Sequence, residues 1–260
     1  MNSQGLAYAI GWALLLATMP VRCLTAQEIT DEQRTNLHRE IRSAMTSGNY
    51  ANAASALDEL VKVDPDNVDY HFTRGTACFM NGDMSEAVSS YDRAIELEPD
   101  QSPRCWQRGL ALYYADQFKL GQEQFEAHQT YNRNDVENAV WHMLCVARQV
   151  GVDEARAKLI PISGDGRVPM AEIYQLFAGT GTVDDVMQAA STDDETDSRY
   201  RRQMYYACLY VGLYHEMTGD NQQALAAMKR AADLNPIEKG QLMGSVADVH
   251  LLLRSTQEDE

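Results

Sequence analysis

His215 and Glu216 open like the first half of a metalloprotease helix, but Gly219 stands where the second zinc-binding histidine would be. The other histidines, His38, His71, His128, His142 and His250, share no helix face at ligand spacing. Gly179-Thr180-Gly181-Thr182 has the glycines of a phosphate loop without the following lysine or a preceding strand. Gly164-Asp165-Gly166 lacks the further oxygen ligands of a calcium loop, and there is no Gly-x-Ser-x-Gly elbow. Cys78, Cys105, Cys145 and Cys208 lie in apolar stretches without Cys-x-x-Cys spacing, which suits small core hydrophobes better than a metal site. These residues assign no catalytic, metal or cofactor-binding position, and no cofactor is expected. An enzyme or carrier site within residues 136–204, around His142, Cys145 and Asp165, stays open as an alternative; a cysteine nucleophile there would need a bonded base and an oxyanion donor. The remaining set is aromatic: the step from Phe72 to Trp106 is the same as the step from Phe79 to Tyr113.

That interval belongs to the whole chain. It also separates Pro65 from Pro99, Gly48 from Gly82, Gly75 from Gly109, and Ala53 from Ala87. Gly212, Gly219, Ala224, Met228, Ala231 and Pro236 repeat the same order further on. Each type has a mechanical role. Gly75 and Gly109 fall inside helices, where glycine costs roughly 1 kcal/mol against alanine, so they imply a close packing contact. Gly48, Gly82 and Gly219 fall in turns that need a positive φ. The prolines stop the helices that precede them, and Asp83 to Glu86 and Asp220 to Gln223 read as capping boxes that open the next helix.

A 34-residue period with these landmarks resembles the tetratricopeptide repeat (TPR) family. The resemblance implies an all-α, right-handed superhelix of about five helical hairpins, two of them degenerate, closed by a C-terminal capping helix. Its expected parts are repeats at 34–67, 68–101 and 102–135, a degenerate region at 136–204 opening on Trp141-x-x-Leu144, a repeat at 205–238 and a cap at 239–254. Residues 27–33 read as a linker and 255–260 as a disordered tail. In this family the first helices line the concave groove, so Phe72, Phe79, Trp106 and Tyr113 are expected to form one aromatic patch there, suited to anchoring a partner peptide or helix. Phe72, Thr76, Trp106 and Leu110 do not supply the Lys, Asn and Arg of the chaperone-tail class. Arg74 follows Asp58, and Arg108 follows Asp92, by 16 residues, which predicts a repeating structural ion pair between neighbouring repeats.

The net charge of −16 argues against nucleic acid, which needs clustered Lys and Arg. Residues 5–19 carry no charge and centre on Ala13-Leu14-Leu15-Leu16-Ala17, the length of a secretory core rather than a membrane span. Residues 1–26 are therefore expected to be an export signal cut after Ala26. An uncleaved anchor and a lipid on Cys23 are the alternatives, the second opposed by Arg22 just before it; these are the only routes to a membrane. The order of parts resembles the bacterial NlpI-type periplasmic lipoproteins. That likeness implies a non-catalytic adaptor of the periplasm or outer membrane, with envelope proteases or peptidoglycan hydrolases as partners.

Overall fold

The computed structural model describes residues 29–192, 196–234 and 241–255. The proposed signal segment with Cys23, part of the 27–33 linker, the Pro236 landmark and nearly all of the expected tail lie outside the described residues. The regular structure among the described residues is entirely helical. It forms six hairpins, the number to which the expected repeat bounds add up: α1 (Asp31–Ser47) with α2 (Tyr50–Val63), α3 (Val68–Asn81) with α4 (Met84–Leu97), and α5 (Trp106–Tyr114) with α6 (Phe118–Tyr131). These are followed by α7 (Val136–Val150) with α8 (Val152–Ala157), α9 (Met170–Ala178) with α10 (Val183–Ala190), and α11 (Ser198–Thr218) with α12 (Asn221–Leu234). The last helix is α13 (Leu242–Ser255). Helix α5 is short because Pro99 starts a 3-10 turn, Pro99–Arg104, that takes up its first residues.

The repeat landmarks have a common mechanical basis. A Cβ built on Gly75 would lie 2.8 Å from the Tyr91 ring, and one on Gly109 would lie 2.6 Å from Phe125. One on Gly212 would lie 3.0 Å from Met228. In each case the large partner follows its glycine at the same distance along the chain, so the second helix of a hairpin presses a buried side chain onto the bare backbone of the first. Gly48, Gly82 and Gly219 end α1, α3 and α11 at φ of 76°, 87° and 87°, where a side chain would be strained. Ala87 and Ala224 are buried between helices, and Pro65 lies just past α2. At Asp220 one half of the expected box is present, the side chain accepting the Gln223 N–H at 3.1 Å. The box fails at Asp83, whose side chain makes no cap bond: the carboxylate accepts from Asn81 Nδ2 at 2.7 Å, and Glu86 is engaged by Arg74.

The predicted ion pairs form a ladder. Arg74 Nε donates to Asp58 and Arg108 Nε to Asp92, both at 2.5 Å. The Nη1 groups reach equally far the other way along the chain, to Ser90 at 2.5 Å and Gln124 at 3.1 Å. A third rung follows the same period, with His142 Nε2 at 3.3 Å from Glu126. Arg74 is only 18% exposed but Asp58 is 44% exposed, so the pair falls between a surface bridge and a buried one. Melts of Arg74→Ala, Asp58→Ala and the double variant are expected to show a coupling of about 1 kcal/mol. Additive losses would mean that the rung contributes nothing.

The capping expectation needs a larger correction. Helix α13 does not merely cover the end of α12; it also packs against α3. Leu242, Val246 and Val249 are buried along it. His250 Nδ1 is 3.1 Å from the Tyr114 hydroxyl, and Leu252 lies over Gly82. The last helix therefore closes the inner side of the array against its second and third repeats.

Candidate functional site

The closure divides the expected aromatic patch. Phe79 and Tyr113 are buried, at 0% and 1% exposure, and belong to the core. Phe79 meets Tyr114 edge-on, and Tyr113 meets Tyr114, Phe118 and Trp141 in the same way. Helices α11 and α13 come from the far end of the chain to cover these rings, so neither is available to a partner. Phe72 and Trp106 remain half-buried and line a cavity of about 550 Å³. Helices α3, α5 and α7 supply much of its wall, and Tyr206 of α11 and Leu242 and Met243 at the start of α13 add to the lining.

One side of the cavity is a charged cluster that the sequence did not reveal. Arg167, from the loop between α8 and α9, donates to Asp135 at 2.8 Å, to Asp165 at 2.6 Å and, at close range, to Glu137. The Tyr210 hydroxyl adds a 2.7 Å bond to Glu137. Asp165 also accepts the Val136 N–H at 3.3 Å, which joins the loop to the start of α7. Burial works against the charge on Asp135, but His128 and Arg167 outweigh it and hold its pKa below the ordinary carboxylate range. At Glu137 burial prevails over Arg167, and its pKa is raised. Asp135, Glu137 and Arg167 all line the cavity.

Three of its lining residues carry a buried polar atom without a hydrogen-bond partner: Gln107 Oε1, Asn138 Oδ1 and Trp141 Nε1. Asn138 cannot remedy this by turning its amide over. Its Nδ2 already donates to the Phe125 carbonyl at 3.1 Å and to Gln129 Oε1 at 3.2 Å, both of which require the N–H side. Buried polar groups are normally paired, so the cavity holds hydrogen-bonding capacity that the chain itself leaves unused. Trp141 was legible as a helix landmark and Asp165 as a turn residue. Nothing in the spacing pointed to Asn138, Gln107 or Arg167 as neighbours.

The alternative constellation of His142, Cys145 and Asp165 is not assembled. His142 serves the third rung of the ladder, and burial lowers its pKa against the pull of Glu126. Cys145 is fully buried and faces Gly121, where a Cβ would come within 2.9 Å of its sulfur, and burial pushes its thiol pKa up. Asp165 is committed to Arg167 and the α7 N-terminus. Cys78, Cys105 and Cys208 are likewise buried free thiols, each raised to about 11 by burial. The glycine-threonine stretch is a turn: Gly179 ends α9 at φ 77°, and Thr182 caps α10 reciprocally with Asp185.

Residues 38–102 match the family model of the tetratricopeptide repeat. Solved structures of similar backbone include "MamA 41-end from Desulfovibrio magneticus RS-1", 15% identical with a TM-score of 0.47 over 80% of this chain and 97% of that chain. A crystal structure of MamA protein is 15% identical with a TM-score of 0.46 over 79% and 93%. YrrB, described as a TPR protein with an unusual peptide-binding site, is 15% identical with a TM-score of 0.41 over 84% and 88%. No curated protein matches the sequence.

Proposed function

We propose that this tetratricopeptide-repeat chain is a non-catalytic adaptor of the cell envelope that holds a segment of a partner protein in its inner cavity. The observation that carries this reading is the pair Phe72 and Trp106. They stand one repeat apart and remain only half-buried on a cavity of about 550 Å³, while Phe79 and Tyr113 have been taken into the core. Large, flat side chains lose little rotamer entropy on binding and bury much area, which suits them as anchors. Export is supported by the uncharged run in residues 5–19 and the small Ala26 after it, and the placement in the envelope by the NlpI-type resemblance. Envelope proteases and peptidoglycan hydrolases are the partner classes implied by the NlpI-type resemblance.

The test is capture from an envelope fraction with the wild-type protein and with Trp106→Ala and Phe72→Ala. A partner retained by the wild type should bind the Trp106 variant about thirtyfold more weakly, the loss expected when a hot-spot residue worth about 2 kcal/mol is truncated. Circular dichroism should show unchanged helicity. Equal capture by all three proteins, or a partner found only outside the envelope fraction, would overturn the reading.

A further inference from the structure

The cavity has a chemical preference as well as a shape. Three carboxylates, Asp135, Glu137 and Asp165, surround the single guanidinium of Arg167. With His128, 3.9 Å from Asp135, uncharged, the cluster therefore holds an excess of two negative charges, and one remains even if Glu137 is protonated. It lies beside half-buried Phe72, Trp106 and Tyr206, and aromatic faces attract cations through their quadrupoles. Two of the three unpaired polar atoms, Gln107 Oε1 and Asn138 Oδ1, are acceptors. Asn138 is only 3% exposed, so its unpaired oxygen lacks compensation from bulk water. The third, Trp141 Nε1, is a donor and suits a backbone carbonyl. Arg199 and Arg202 line a separate recess of about 350 Å³ that shares Arg167, Tyr206 and Gln241 with this one, so opposite charges lie on the two sides of that shared wall.

Resting on the adaptor reading above, we propose that the cavity is a specificity pocket for a lysine or arginine side chain of the partner segment. The alkyl stem packs between Phe72, Trp106 and Tyr206, and the charged head donates toward Gln107, Asn138 and the surplus carboxylate charge. A lysine or arginine residue offers several side-chain N–H donors for the two acceptors as well as a backbone carbonyl for the indole, whereas leucine offers a single backbone N–H. Long cationic side chains are suited to such a site because they combine an apolar stem with a polar tip.

A phage-displayed library of random twelve-residue peptides, selected on the full chain, tests this directly. Enriched peptides are expected to share a lysine or arginine at one fixed position. Replacing that residue by norleucine, which keeps the stem and removes the charge, should weaken binding about tenfold, and raised salt should weaken the parent peptide but not the norleucine form. Gln107→Leu should lower affinity for the parent severalfold without lowering the melting temperature, since Gln107 Oε1 has no partner to lose. Enriched peptides that lack a common cation, or that bind equally well with norleucine, would overturn the pocket assignment and leave the adaptor reading standing. Failure to enrich any peptide would count against both. Self-association of the protein that Trp106→Ala abolishes would assign the cavity to a second copy and overturn the proposal.

Discussion

A chain ended at Gln241 is expected to lose most of its stability, and the loss should reach repeats far from the cut. Helix α13 buries Leu242, Val246 and Val249 at 7%, 0% and 1% exposure. Burial of a Val or Leu side chain contributes roughly 1.5–3 kcal/mol, so three of them approach the roughly 5–15 kcal/mol that holds a whole domain together. Polar losses add to this. The Tyr205 hydroxyl donates to the Met243 carbonyl at 2.5 Å, and Tyr114 would lose His250. Burial holds His250 near a pKa of about 4, so at neutral pH it takes part as an uncharged ring. Thermal melts and amide hydrogen exchange provide the check. A helix that only covered the end of the array would leave exchange in α3 and α5 untouched when removed. Here protection should fall in α3 and α5 as well as in α12, because α13 packs against α3 and bonds Tyr114 of α5 as well as covering α12. A truncated chain with the wild-type melting temperature would refute this packing.

Gly109→Ala is expected to destabilise the fold by about 1–3 kcal/mol, although alanine is the better helix former. The new methyl would lie 2.6 Å from Phe125 Cζ and 2.7 Å from Cε1. Phe125 is 1% exposed, so its ring would have to shift within the core to make room. Phe125→Ala alone should cost about 3–5 kcal/mol through the cavity it leaves. In the double variant the added methyl no longer meets a ring and alanine gains its ordinary helix preference, so the combined loss should be smaller than the sum by roughly 1–2 kcal/mol. Urea unfolding of the four proteins measures this coupling. Strict additivity would mean that Gly109 and Phe125 do not form the contact on which the repeat is built.

The two experiments probe parts of the molecule with different visibility in the sequence. The Gly109–Phe125 contact joins the two helices of one hairpin and recurs at the same spacing as Gly75–Tyr91 and Gly212–Met228. The Arg–Asp rungs recur in the same way. A contact made within one hairpin, or between neighbours, must be made again one period later. Its residue types therefore reappear at a fixed distance, and a single sequence contains its own comparison. The hairpins, their glycine turns and the ion-pair ladder were legible for this reason.

The cavity follows another rule. Tyr114 and His250 are 136 residues apart, Tyr113 and Glu216 are 103 apart, and Tyr210 and Glu137 are 73 apart. None of these pairs is repeated, so no internal pattern marks them. Phe72 and Phe79 look equivalent along α3, and only the arrival of α11 and α13 sends Phe79 and Tyr113 into the core and leaves Phe72 and Trp106 on the cavity. Arg167 sits in a loop with no register of its own, and its neighbours are chosen by where that loop lands. Local periodic packing, written into residue types by repetition, was the sequence's own contribution. The return of α11 and α13 onto the second and third repeats decided which aromatic side chains stay open and which charges surround them.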